Sequence, residues 1–172
     1  MKPFTISLAL ALSGLCGVAA AETEGSCNTD GSVTVPNPVG GSSGELTRRD
    51  TSRGQGDGTF GSHRDPARTH NGVDIKAAEG ASVTSPGSGT VVHSGETRGG
   101  GNAVIIKHDG PYTSHFYHLA EGGRPSVGKK VEAGSAVGRV GRSGNVPPKA
   151  DSHLHFEIRR NGVPVEPVLA PR

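Results

Sequence analysis

Hydrophobic positions in this 172-residue chain fall into three regimes. The first is one apolar run, "FTISLALALSGLCGVAA", preceded by Lys2 and closed by small residues up to Ala21. A positive start, a short apolar stretch and an A-x-A-like end predict a secretory signal peptide over 1–21, cut after Ala21. The run falls short of the roughly 20 apolar residues that a membrane-spanning helix needs. The second regime, "ETEGSCNTDGSV" (22–33), is polar and small with no apolar period, and predicts a flexible leader. "NPVGGSSGELTRRDTSRGQGDGTFGSH" stays rich in Gly and Ser but carries more charge. It is expected to run over the surface of a domain spanning 34–172, as loop with one or two short strands. Residues 34–58 have the length to regulate access to a groove.

From Phe60 onward the pattern changes to short apolar runs divided by Gly and Pro. These predict strands at "GVDI" (72–75), "SVTSP" (82–86), "GTVVHSGE" (89–96), "NAVIIKH" (102–108), "YTSHFYHL" (112–119), "AVGRVG" (136–141) and "HLHFEIRR" (153–160). An Asp-Gly turn in "HDGP" (108–111) predicts a hairpin between two of them, and Asn161-Gly162 predicts another turn. No stretch keeps a helical period over ten residues. The expected fold class is all-β: a small antiparallel β-sandwich or barrel-like domain.

Composition supports this and narrows the function. Aromatics are few and Trp is absent, which argues against a helical bundle. The net charge is only +2, with no basic run interleaved with aromatics, so no nucleic-acid partner is expected. Cys16 leaves with the signal peptide. Cys27 then has no intrachain partner and is expected as a lone thiol in a flexible tail. After signal cleavage the chain is expected to be exported, off the membrane and monomeric.

Candidate chemistry lies in three places. In "THNGVDI", His70 and Asp74 offer a nitrogen and an oxygen donor, both good zinc ligands. Alone, the pair fits equally a surface His and an Asp capping a turn. In "SHLHFEI", His153 and His155 share one face of a strand while Leu154, Phe156 and Ile158 take the other. They suit a metal site, an acid–base site, or half of each. Catalytic zinc takes three protein ligands and one open position, so four candidates leave one group over for proton transfer. In "YTSHFYHL", an extended strand puts Tyr112, Ser114, Phe116 and His118 on one face and Thr113, His115 and Tyr117 on the other. His115 and His118 should therefore point apart, and spacing does not choose which of them reaches the site. His63, His93 and His108 fit loop, strand and turn roles.

The order His-x-x-x-Asp, then "YHL", then "HLHFE" resembles the lysostaphin-type (LytM-like) zinc endopeptidases that cut bacterial peptidoglycan. The likeness covers residues 59–167. It implies an open groove flanked by long loops, with one zinc ion held by His70, Asp74 and His155. It implies His153 as catalytic base, and His118 as a second active-site histidine that orients water or stabilises an oxyanion. Arg64 matches a family arginine, for which substrate binding and a solvated loop charge are equal alternatives. The segment "GRSGNVPPKADSHLHFE" departs from the usual short Gly-rich approach and should reshape one groove wall. The implied substrate is peptidoglycan peptide. A non-catalytic wall-binding or amidase-activating module on the same fold is the first alternative. A secreted Gly-Gly endopeptidase aimed at competitors is the second, since nothing in the chain separates D-alanyl-diaminopimelate cross-links from glycine bridges.

Overall fold

Runs of alternating apolar and polar residues become strands, and the Gly-containing dipeptides between them become turns. In the computed structural model, residues 26–47, 57–64, 68–148 and 150–170 are described. The signal peptide predicted over 1–21 lies outside them. The strands are β1 (Ser26–Cys27), β2 (Val33–Pro36), β3 (His63–Arg64), β4 (Arg68–Thr69), β5 (Val73–Lys76), β6 (Ser82–Thr84) and β7 (Gly89–Thr97). They continue with β8 (Gly101–Lys107), β9 (Tyr112–Leu119), β10 (Lys130–Val131), β11 (Ala136–Arg139), β12 (His153–Arg160), β13 (Val163–Val165) and β14 (Pro167–Ala170). The all-β expectation is met, and among the described residues no helix is long and apolar enough to cross a membrane.

One seven-stranded sheet positions everything that follows. Its order is β10-β7-β8-β9-β12-β13, with β5 also paired to β12. The β8–β9 hairpin turns through Asp109-Gly110, where Gly110 has φ 72°. The β12–β13 hairpin turns through Asn161 and Gly162, with φ 50° and 80°. Two positive φ values in succession give the turn whose twist matches that of the strands it joins. One face of the sheet is the core: Val104, Ile106, Phe116, Leu154, Phe156 and Ile158 are buried in it. The Phe116 and Phe156 rings pack with centroids 5.3 Å apart. Val83 of β6, Val137 of β11 and Val33 and Val35 of β2 join the same cluster. Each such apolar side chain contributes about 1.5–3 kcal/mol on burial.

The polar leader differs from its expectation. Residues 26–33 are paired rather than loose: β1 lies antiparallel to β2, and β2 lies parallel to β14 at the far end of the chain. Cys27 is half-buried in β1 with its Sγ 2.5 Å from the Tyr112 hydroxyl, so its thiol is packed against the domain. Short polar strands carry little local signal; long-range partners order them. Further on, the chain protects the outer edge of β5, which would otherwise expose unpaired backbone groups. Lys76 N donates to Glu45 O, Thr47 N to Asp74 O, and Asp74 N to Gly58 O, at 2.8–2.9 Å. Asp74 is thereby pinned from both sides, by this segment and by β12.

Candidate metal centre

The register of β12 builds the site. Its polar face carries His153, His155 and Glu157 because alternation sends Leu154 and Phe156 into the core. His155 lies opposite Asp74 of β5 on one side and opposite Tyr117 of β9 on the other. Directly opposed residues on one face have Cβ atoms about 4.5–5.5 Å apart, close enough to share a ligand. His70 arrives from the loop before β5. Its backbone N–H donates to Ser62 O, and its Nδ1 donates to Thr59 O at 2.7 Å. That leaves the lone pair on Nε2, which meets His155 Nδ1 at 2.9 Å and Asp74 Oδ1 at 3.1 Å. Asp74 Oδ1 and His155 Nδ1 are 2.7 Å apart.

Three acceptor atoms thus converge on one point. His155 Nε2 donates to Glu157 Oε1 at 3.1 Å, which turns Nδ1 toward the other two atoms. Burial alone would lower the His155 pKa; hydrogen bonds to Asp74 and Glu157 outweigh it and push it up to about 9. Asp74 is likewise buried, yet the two imidazoles hold it well below the usual carboxylate range. Three polar atoms thus crowd one point, at 2.7–3.1 Å from one another, where a divalent cation would hold them together. Two imidazole nitrogens and one carboxylate oxygen form a zinc donor set with a fourth position open. Among the described residues this trio is the group of His, Cys, Asp and Glu with metal-binding proximity.

Outer partners fix each donor. Arg64 Nη2 donates to Asp74 Oδ2 at 3.0 Å, leaving Oδ1 for the centre, and Arg64 Nη1 donates to Asp57 O. Arg64 is therefore not a solvated loop charge; with 11% of its side chain exposed, it holds Asp74 at the edge of the groove. Glu157, held by Arg159 Nε and Nη2 at 2.7 Å, orients His155. Glu157→Gln is expected to weaken zinc binding by about 10- to 100-fold while the fold survives, measured by competition with a chromophoric chelator.

His153 and His118 lie beside the trio. His153 Nδ1 donates to Asp151 O at 2.8 Å, leaving the lone pair on Nε2. That atom is 3.9 Å from Asp74 Oδ1, farther out than the His70 and His155 nitrogens. His118 has φ 60°, and β9 slips by one residue against β8 between Phe116 and Leu119. This bulge overturns simple alternation: His118 joins Tyr117 in lining the groove, and its ring sits 5.1 Å, edge-on, from that of His153. His115 also departs from expectation. It lies opposite Glu157, on the same sheet face as His155, and hydrogen-bonds Tyr117 Oη at 3.1 Å. His118 Nδ1 donates to Ser143 O at 2.9 Å, and burial pushes its pKa down to about 4.

The groove above these residues has a volume of about 390 Å³. One wall includes Asn145 from the Pro-containing segment, which Arg142 organises by donating to the carbonyls of Pro147, Pro148 and Ala150. Sequence reasoning did not single out Glu157, Arg142, Thr59 or Ser143. Glu157 carried a usable signal, lying two residues beyond His155 on the same strand face. The backbone carbonyls of Thr59 and Ser143 carried none.

An open groove on an all-β sheet, floored by a His–Asp–His trio, defines the β-sheet metallopeptidase class. The chain belongs to peptidase family M23, whose model matches residues 68–167, as the lysostaphin-type resemblance implied. Over 101 residues it is 35% identical to the DD-carboxypeptidase/endopeptidase Mpg of Neisseria meningitidis, matching 59% of this chain and 22% of that protein. Over 100 residues it is 33% identical to the murein hydrolase activator NlpD of Salmonella dublin, matching 58% of this chain and 25% of that protein. The match thus spans about a quarter or less of either curated relative. Among solved structures, the catalytic domain of the antimicrobial peptidase lysostaphin from Staphylococcus simulans aligns with a TM-score of 0.54 and 30% identity. That alignment covers 60% of this chain and 77% of the other.

Proposed function

We propose that this protein is a zinc-dependent endopeptidase that hydrolyses peptide bonds in bacterial peptidoglycan outside the cytoplasm. The observation that carries the proposal is the convergence of His70 Nε2, Asp74 Oδ1 and His155 Nδ1 on one point, with His153 and His118 packed beside it. Zinc, when bound there, supplies a Lewis acid for the scissile carbonyl and acidifies water to a pKa of about 7. The chain's own groups do the rest. His153, with its Nε2 lone pair toward the site, takes the proton from attacking water and returns it to the leaving amine. His118 stays neutral down to about pH 4, with its one ring proton on Ser143 O. Its Nε2 then accepts, which suits it to orient the water. Arg64 and Glu157 hold Asp74 and His155 in place throughout. Export follows from residues 1–21 and fits a wall substrate.

The likeness to NlpD favours a second reading, a wall-bound activator without catalysis. One experiment separates the two. Purified protein is incubated with isolated cell walls, and released peptides and new amino termini are identified by mass spectrometry. Cleavage that stops with a chelator and returns with zinc is expected. Zinc-loaded protein that binds walls and releases no new termini would make the activator reading correct.

A further inference from the structure

The groove carries more positive charge than the metal centre uses. Its lining includes three arginines, Arg64, Arg68 and Arg98, and two carboxylates, Asp74 and Glu157. Both carboxylates are engaged. Asp74 faces Arg64 and the two imidazoles, and Glu157 faces His155 and Arg159. Arg68 and Arg98 are exposed, and among the described residues neither has an ion-pair partner. They also stand apart. Arg68 belongs to β4, which leads into β5 on one side of β12; Arg98 lies in the β7–β8 turn, beyond β9 on the other side. β4 pairs with β3 in a separate two-stranded sheet, yet both arginines line the same groove as the trio. Two unpaired guanidiniums flanking a cation site raise the local potential and offer forked donors that match carboxylate geometry.

Building on the hydrolase reading, we infer that the groove selects peptides bearing free carboxylates near the scissile bond over neutral glycine bridges, with Arg68 and Arg98 as the specificity-determining residues. A neutral glycyl strand would leave both guanidiniums with water alone, whereas an acidic peptide engages them on either side of the centre.

The test uses two synthetic peptides identical except that one carries side-chain carboxylates and the other the corresponding carboxamides, with pentaglycine as a third substrate. Zinc-loaded wild type is expected to favour the carboxylate peptide in kcat/KM by about ten-fold, the combined effect of two exposed Arg–carboxylate pairs. The preference should shrink with added salt and collapse toward one in Arg68→Gln/Arg98→Gln. Equal kcat/KM for the pair in wild type, faster cleavage of pentaglycine, or a preference retained in the double variant overturns the inference. If no peptide is cut, the hydrolase reading fails on its own. Fluorescence anisotropy with the labelled pair then decides this inference separately: tighter binding of the carboxylate peptide, lost in the double variant, sustains it, and equal binding ends it.

Discussion

His155→Ala is expected to lose zinc and peptidase activity together, whereas His153→Ala should keep its zinc and lose activity alone. The two residues sit one position apart on the same strand face, so sequence spacing treats them alike. Geometry does not. His155 Nδ1 is 2.7 Å from Asp74 Oδ1 and 2.9 Å from His70 Nε2, inside the triangle of acceptors. His153 Nε2 stands 3.9 Å from the same carboxylate oxygen. Removing His155 leaves two donors where a catalytic zinc needs three. Removing His153 takes away proton transfer, worth about 10²- to 10⁴-fold in rate. Metal content after dialysis, measured by mass spectrometry alongside wall cleavage, reads both effects. Zinc loss in His153→Ala with retention in His155→Ala would reverse the assignment.

Gly72→Ala should disable the site without touching a donor atom. A Cβ at position 72 would lie 2.2 Å from Phe156 O and 2.9 Å from Phe156 C. The obstacle is backbone, so no rotamer change relieves it. β5 must move away from β12 at Val73–Phe156, the pair next to Asp74–His155. The expected cost is about 2–3 kcal/mol, lowering Tm by roughly 5–10 °C, with weakened zinc binding as the carboxylate parts from the imidazole. Gly87→Ala is the control: its Cβ would meet His108 Nδ1 at 3.6 Å, an ordinary contact. Calorimetry and zinc titration of both variants check the claim, and a Gly72→Ala protein matching wild type in both would remove the close approach from the explanation.

The same glycine shows how far sequence reading reaches. In "GVDI" it read only as the first residue of a strand; the reason for it appears when β12 passes within van der Waals distance. Apart from the two-residue β10, the strands from 72 to 160 were legible because alternation is a local property, and so were the turns at Asp109-Gly110 and Asn161-Gly162. His118 was misplaced on its strand because one positive φ reverses the facing of a side chain, and no neighbouring residue announces it. Arg64 was undecided because a charge in a loop looks the same whether it meets water, substrate or Asp74. The leader was read as loose because β1 is two residues long and polar, and the strand it pairs with, β2, is itself held by β14 some 130 residues away.

Local order thus determined the fold class, the hairpins and the identity of the chemical groups, since period, turn preference and donor type belong to single residues and their neighbours. Tertiary structure alone decided where each histidine stands relative to Asp74. The β5–β12 register puts His155 opposite Asp74, a bulge in β9 swings His118 beside His153, and Arg64 and Glu157 orient the donors. Each of these depends on distances between segments far apart in the chain, which packing sets and local pattern does not encode.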